Sequence, residues 1–353
     1  MDYVVAETAY GKLRGSRQDG VTIFKGVPYA GQVSGEYRFR RPAALEPWTG
    51  VRDALALGAP SIQPPRQNEP NPAEDCLFLN IWTPATDDGK RPVMFYNHGG
   101  GFVIGSGGPA VQDGANLARN FDVVVVQTNH RLGLLGFLYL GGLADADVAG
   151  TGNQGLLDIV DGLAWVKQNI SAFGGDPDNV MIFGESGGGA KTSCLYAMPS
   201  AAPYFNKASI ESGPGVRMYT VARAAATTEQ VLKALDIAPS AWRKLLDVPA
   251  ATLLQVQSQF PPVPPHQKRG KNAGITEPAG YGSGLWSTAT RCRIILSTPP
   301  LVLSKDKPLL TGWNEDEYTF FRLGTPRQQR RRPDFAGLAH KLEPHSARTR
   351  RRL

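Results

Sequence analysis

The stretch Gly184-Glu185-Ser186-Gly187-Gly188 decides how this chain folds. The apolar residues 180–183 before it predict a short buried strand, and residues 189–195 after it can start a helix. A serine on a sharp turn between strand and helix has a strained backbone and projects its hydroxyl into a cleft. Its flanking glycines fit because a Cβ there would meet the neighbouring strand or helix. We therefore interpret Ser186 as a nucleophile; a plain Gly/Ser turn is the alternative.

The segments around this turn alternate between strand-like and helical patterns. Strand-like apolar runs occur at residues 21–24, 77–82, 93–97 and 123–127, and helical spacing occurs at 156–168. A further helical region covers residues 222–258, and another strand is predicted within 307–313. Buried strands that alternate with helices predict an α/β fold. We expect a mostly parallel central sheet with helices on both faces.

A second glycine-rich segment, His98-Gly99-Gly100-Gly101-Phe102, follows the predicted strand 93–97. Glycines let the main chain come close enough for the N–H groups of Gly100 and Gly101 to point at one spot. The N–H of Gly187, directly after the serine, would be a third donor. Together they are typical of an oxyanion hole, which stabilises the negative oxygen of a tetrahedral intermediate. The alternative is a flexible glycine loop that His98 merely flanks.

The sequence resembles the type B carboxylesterase/lipase family, the cholinesterase-like α/β-hydrolases. Matching motifs follow the family order at residues 24–30, 74–81, 98–102, 129–133, 152–158 and 169–177. The resemblance implies an α/β-hydrolase fold and hydrolysis of small-molecule carboxylic esters through an acyl-enzyme on Ser186. It implies neither a metal nor an organic cofactor. It also puts Glu185 beside the nucleophile and matches Ser212 to a buried serine near the catalytic residues.

The resemblance also implies a catalytic acid and a catalytic histidine after the nucleophile. The segment 312–317 matches the family's acid segment and makes Glu317 the acid, although a solvated acidic loop is the alternative. The family's histidine lies in a His-Gly segment, and none of the five histidines fits it: His98, His130, His266, His340 and His345. We therefore expect impaired ester hydrolysis. A catalytically inactive, cholinesterase-like binding module is the alternative function.

The domain organisation predicted from composition is one hydrolase domain followed by a basic tail. Residues 1–321 form the domain, with an irregular, Pro- and Gly-rich stretch at 261–305. Residues 322–353 carry ten Lys/Arg and two acids, so the remaining 321 residues carry 28 basic and 29 acidic groups. We expect this tail to be disordered or translated in a shifted reading frame, and the C-terminal part of the fold to be missing. The tail lacks interleaved aromatic residues, so we expect no nucleic-acid partner.

The remaining features of the chain concern its surroundings. No apolar run approaches the roughly 20 residues of a membrane span, and the first residues do not resemble a signal peptide. Three cysteines are too few for a disulfide framework. Secreted family members pair a cysteine that matches Cys76, but residues 58–61 offer no partner here. We expect a free, buried Cys76 thiol and a cytoplasmic protein, and the sequence leaves the oligomeric state open.

Overall fold

A computed structural model describes residues 2–143, 145–213, 219–260, 304 and 306–313. Within them one sheet of ten strands runs through the molecule. The strands are β1 (Asp2–Thr8), β2 (Gly11–Gln18), β3 (Val21–Pro28), β4 (Val51–Asp53), β5 (Phe78–Thr83), β6 (Arg91–Asn97), β7 (Val124–Thr128), β8 (Gly175–Glu185), β9 (Lys207–Glu211) and β10 (Leu309–Gly312). The strand-like runs noted in the sequence correspond to β3, β5, β6, β7, β8 and β10.

The sheet has an antiparallel half and a parallel half. Its order is β1-β2-β3-β5-β7-β6-β8-β9-β10, and β4 pairs with β2. The pairs β1–β2, β2–β3, β3–β5 and β5–β7 are antiparallel, and the short β4 is parallel to β2; β7, β6, β8, β9 and β10 are all parallel. The parallel half confirms the α/β prediction, and the N-terminal strands add an antiparallel flank that the sequence analysis did not separate from it.

The described helices are α1 (Ala115–Phe121), α2 (Gly133–Phe137), α3 (Gln154–Asn169), α4 (Gly187–Tyr196), α5 (Val221–Ala234) and α6 (Ala250–Ser258), with a 3-10 segment at Pro239–Leu246. Helices α1, α3 and α4 connect the parallel strands, and α1 and α3 pack on opposite faces of the sheet. The predicted helix 156–168 lies within α3. The predicted helical region 222–258 is divided into α5, the 3-10 segment and α6.

The strand β7 shows that helices cover both faces of the sheet. Val124 and Val126 pack in the cluster that contains Leu163 of α3. Val125, which points the other way, packs in the cluster that contains Ala118 of α1. An unbroken run of valines is typical of a strand buried on both faces, so this local sequence fits the central place of β7.

A second apolar cluster forms a helical layer away from the sheet. It is built from α2, the 3-10 segment, α5 and α6, and its buried members include Leu135, Val231, Trp242, Leu245 and Val256. Helices α5 and α6 bury one face each and leave polar residues outside, whereas all five residues of α2 are buried. Among the described residues no helix is long and apolar enough to cross a membrane.

The carboxyl ends of β6, β8 and β9 meet at one edge of the sheet. Asn97, the last residue of β6, is in register with Gly184 of β8. Glu185, the last residue of β8, is in register with Glu211, the last residue of β9. The three loops that follow these strands therefore lie side by side, which is where α/β folds bind their ligands.

The described residues belong to one compact unit that extends to Trp313. Apart from Ser304, the predicted irregular stretch 261–305 lies outside the described residues. The predicted domain boundary after residue 321 and the basic tail 322–353 lie outside them as well, so these remain predictions.

A buried ion pair joins the loop after β7 to helix α3. The guanidinium of Arg131 donates from Nε and Nη2 to the two carboxylate oxygens of Asp158, at 2.8 and 2.7 Å. The side chains are 2% and 0% exposed. The main-chain N–H of Arg131 also donates to Asp158, at 3.0 Å. The carboxylate thus fixes both the side chain and the backbone of this loop.

Replacement of one partner of this pair should be strongly destabilising. Asp158→Asn leaves a buried guanidinium without its counter-charge, so we expect the free energy of unfolding to fall by about 3–5 kcal/mol. Urea unfolding measured at pH 7 tests this. The matched control is Asp53→Asn in the Arg14–Asp53 pair, whose side chains are 42% and 51% exposed; it should barely move the midpoint. Equal midpoints for the two variants would contradict the account.

Candidate active site

Ser186 occupies the turn between β8 and α4 in a conformation that is rare for a residue with a side chain. Its φ and ψ are 59° and −120°. Its N–H donates to the carbonyl of Glu211 in β9 at 2.9 Å, and its own carbonyl accepts from Ala190 in α4 at 3.1 Å. Strained backbone of this kind persists only where the surroundings hold it, and it is common at functional sites. The sharp turn predicted at Ser186 is thus present.

Three glycines let neighbouring loops approach this turn more closely than any side chain would allow. A Cβ on Gly187 would lie 2.2 Å from the main-chain N of Gly101. A Cβ on Gly188 would lie 2.0 Å from the carbonyl O of Asn97, and one on Gly213 would lie 2.0 Å from the carbonyl O of Ser186. The loop after β6 therefore presses on one side of the turn and the loop after β9 on the other.

The glycine loop that was predicted to supply the oxyanion hole lies against Ser186. Gly100 and Gly101 have φ of +84° and +65°, in the left-handed region that favours glycine. A Cβ on Gly99 would lie 3.8 Å from the Cβ of Ser186. The structure thus brings Gly100, Gly101 and Gly187 into one neighbourhood with Ser186. Their role as oxyanion donors remains a prediction.

Glu185 and Ser212 also border the turn. Glu185 ends β8 with its side chain toward the glycine loop, because its Oε2 lies 3.6 Å from the Cβ position of Gly99. Ser212 is half-buried, has a φ of +55° and donates its N–H to the carbonyl of Gly312 in β10 at 2.8 Å. This hydrogen bond ties the loop after β9 to β10, and the next residue of that loop, Gly213, lies against the Ser186 carbonyl.

The negative charge at this edge of the sheet comes from carboxylates at the ends of β8 and β9. Tyr96 lies in β6 beside β8, and its pKa is raised to about 12 by burial and, to a smaller extent, by the charges of Glu185 and Glu211. The Tyr96 hydroxyl is therefore neutral around pH 7. Glu317, the predicted catalytic acid, lies outside the described residues, as do His266, His340 and His345.

The two histidines that the structure describes are buried beneath the glycine loop. The rings of His98 and His130 stack with centroids 4.7 Å apart. The Nδ1 of His98 donates to the carbonyl of Gly99 and that of His130 to the carbonyl of Arg131, each at 2.9 Å. Burial lowers the pKa of both rings well below the usual value, so both stay neutral. Neither ring hydrogen-bonds Ser186, and no catalytic histidine is assigned among the described residues.

The residue that sequence reasoning missed is Lys191 in α4. Its side chain is fully buried, and its Nζ donates to the carbonyl of His98 at 2.8 Å. Burial lowers the pKa of Lys191 to about 7. The available signal was a single charged residue in a helix that otherwise contains only small, apolar, hydroxyl or thiol side chains.

The described part of the chain contains no group of three or more His, Cys, Asp or Glu side chains that could hold a metal ion. Cys76 and Cys194 are both free and buried, as predicted for Cys76. Burial raises the pKa of the Cys76 thiol to about 12. These thiols are therefore packing groups, since it is the thiolate that reacts.

The close approach at Gly187 can be tested by a single methyl group. Alanine is favoured over glycine in a helix by about 1 kcal/mol, so Gly187→Ala would stabilise α4 if the site were open. Because the methyl group would overlap the main chain of Gly101, we expect the free energy of unfolding to fall by about 1–3 kcal/mol instead. Urea unfolding checks the sign. Gly150→Ala is the control, since a Cβ there meets nothing within 4 Å.

Comparison with known proteins places this geometry in a family. The model of the carboxylesterase family matches residues 2–347. The chain is 42% identical over 266 residues to para-nitrobenzyl esterase of Bacillus subtilis, which covers 74% of this chain and 54% of that protein. It is 33% identical over 332 residues to phenmedipham hydrolase of Pseudarthrobacter oxydans, with 90% of this chain and 62% of that protein covered. The chain thus spans little more than half the length of these curated relatives.

A solved structure agrees with the sequence comparison. The carboxylesterase of Geobacillus stearothermophilus superposes with a TM-score of 0.78 at 37% identity, and the match covers 96% of this chain and 69% of that one. The parallel strands, the Ser186 turn and the facing glycine loop form the α/β-hydrolase fold that the sequence predicted. From the family match and this shared fold, we conclude that the chain belongs to the carboxylesterase family.

Proposed function

We propose that this protein hydrolyses carboxylic esters of small molecules, with Ser186 as the nucleophile. The observation that carries the proposal is the strained Ser186 turn packed against the glycine loop. Membership of the carboxylesterase family and the esterase and hydrolase relatives support the same reaction. No metal or organic cofactor enters this chemistry.

The proposed reaction passes through an acyl-enzyme. The Ser186 hydroxyl attacks the ester carbonyl, the alcohol leaves, and water then releases the acid from the serine. The N–H groups of Gly100, Gly101 and Gly187 bind the oxygen that becomes negative in each tetrahedral intermediate. Loss of one such donor costs about 2.7–4 kcal/mol of transition-state stabilisation.

We propose a low rate for this 353-residue chain because no base for Ser186 is identified among the residues that the structure describes. Glu317 would orient a histidine, but His340 and His345 lie in no family-like segment. His98 and His130 are buried and engage their Nδ1 atoms with main-chain carbonyls. Without a triad histidine, a serine hydrolase loses about 10⁶ in kcat and retains about 10³–10⁴ over water.

The alternative proposal is a catalytically inactive, cholinesterase-like binding module. It is favoured by one observation: among the described residues the Ser186 hydroxyl has no imidazole partner. The intact glycine scaffold around Ser186 favours an enzyme instead. The free buried thiols suit the further proposal of a reducing compartment such as the cytoplasm.

Labelling by a fluorophosphonate probe separates the two functions. We expect the folded chain to react at Ser186. The glycine loop would stabilise the negative oxygen that forms on phosphorus during this reaction, as it would the negative oxygen of the tetrahedral intermediate of an ester. Ser186→Ala should abolish labelling, read by mass spectrometry of the intact protein. Ser193→Ala, a serine further along the same helix, should label like the unmodified chain. Because no base for Ser186 is assigned, labelling should be slow and is followed over hours; absence of labelling over that time would support the binding module.

Turnover of p-nitrophenyl acetate tests whether the chain lacks an efficient base for Ser186. We expect the 353-residue chain to hydrolyse it below about 1 s⁻¹, which is the lower limit for ordinary enzymes. The measurement is the release of p-nitrophenol at saturating ester, with Ser186→Ala subtracted as background. A Ser186-dependent rate above that limit would mean that one of the histidines acts as an efficient base.

A further inference from the structure

Lys191 is a lysine side chain buried without a carboxylate partner among the described residues. Its side chain is fully buried in the middle of α4, and no described Asp or Glu forms an ion pair with it. Within the described part of the chain its one hydrogen bond goes to the carbonyl of His98, and its Nζ lies 5.9 Å from the centre of the Phe102 ring. Burial of an unpaired charge is expensive. An apolar side chain of the same length would pack here at lower cost, so the lysine needs another explanation.

The hydrogen bond of Lys191 connects the two halves of the proposed site. Helix α4 begins directly after Ser186, and His98 directly precedes the glycines 99–101. Gly187 and Gly101 are in close contact, but glycine contacts supply no directional bond. A neighbouring bond joins the end of β6 to α4, because the side-chain amide of Asn97 donates to the hydroxyl of Thr192 at 2.9 Å. Lys191 fastens His98, the residue that directly precedes the loop, to the same helix.

The two stacked imidazoles are placed to tolerate the Lys191 charge. The Nδ1 of each ring donates to a main-chain carbonyl, so Nε2 of each neutral ring carries a lone pair. Neither Nε2 has a hydrogen-bond partner among the described residues. After burial, a positive charge on Lys191 is the next cause that lowers the pKa of both His98 and His130. Neutral rings therefore accommodate the charged form of Lys191, which a protonated ring would repel.

We propose that Lys191 is a positioning residue for ester hydrolysis: by holding the carbonyl of His98, it fixes the glycine loop 99–101 against the first turn of the helix that carries Ser186. This inference rests on the proposed function. It assigns Lys191 no contact with the substrate. Its effect is on the placement of the Gly100 and Gly101 N–H groups relative to Ser186.

The expected consequence is kinetic. An oxyanion donor stabilises the transition state only where it meets the developing charge, and a misplacement of about 1 Å can cost about 10²-fold in rate. Loss of the Lys191 hydrogen bond should therefore slow the reaction of bound probe with Ser186. Binding of the probe, which depends on the walls of the pocket, should change little.

The test compares Lys191→Met and Lys191→Gln with the unmodified chain. Methionine keeps the length and removes the donor, whereas glutamine keeps an uncharged N–H donor and provides a second variant should methionine prevent folding. Lys307→Met is the matched control: the Lys307 Nζ likewise donates to main-chain carbonyls, those of Ala202 and Phe205, at the opposite end of β9. Each protein is analysed for amide hydrogen exchange of residues 98–104 and for the rate of fluorophosphonate labelling against probe concentration.

We expect faster exchange in residues 98–104 and a limiting labelling rate about tenfold to a hundredfold lower in Lys191→Met, with half-saturation at a similar probe concentration. Lys191→Gln should be intermediate, and Lys307→Met should match the unmodified chain in both measurements. Unchanged exchange at residues 98–104 would overturn the proposal. Faster exchange with an unchanged limiting rate would overturn it too, since Lys191 would then be only structural. If the unmodified chain takes up no probe, the proposed function fails, and the exchange data alone decide whether Lys191 holds the loop.

Discussion

The structure of the site depends on the backbone of Ser186, which has a positive φ at the point where β8 becomes α4. That conformation is stabilised from outside the turn. The carbonyl of Glu211 accepts the Ser186 N–H, and the loops after β6 and β9 approach at Gly187, Gly188 and Gly213. Because these approaches leave no room for a Cβ, the positions of three strands are fixed relative to one another. The register of the parallel strands therefore determines the backbone geometry of the Ser186 turn.

A layer of buried polar groups lies under this edge of the sheet. Arg131 and Asp158 form a fully paired unit that ties the loop after β7 to α3. Lys191, His98 and His130 form a second unit, in which the lysine donates to the main-chain carbonyl of His98 and the two imidazole rings stack. The first unit is a structural pair, since both of its charges are satisfied. The second joins helix α4 to the residue that directly precedes the glycine loop, and our proposal for Lys191 rests on that bond.

Much of this arrangement could be predicted from the sequence because the motifs are local. A strand, a glycine turn and a helix around Ser186 predict the nucleophile turn, and the valines of β7 predict a strand covered on both faces. The antiparallel flank could not be read the same way. β2 has the sequence GKLRGSRQ, which is poor in strand-forming residues and is a strand because of its neighbours. β9 is short, with only Ala208 and Ile210 buried as apolar residues.

The role of Lys191 could not be predicted either, because its hydrogen bond reaches His98 across 93 positions of the sequence. The most direct test of the account is a crystal structure of the fluorophosphonate adduct of the chain. The account predicts phosphorus bonded to the Ser186 Oγ, with the phosphoryl oxygen about 2.7–3.1 Å from the main-chain N atoms of Gly101 and Gly187. A phosphoryl oxygen turned away from both amides, or a probe bonded to another residue, would contradict it.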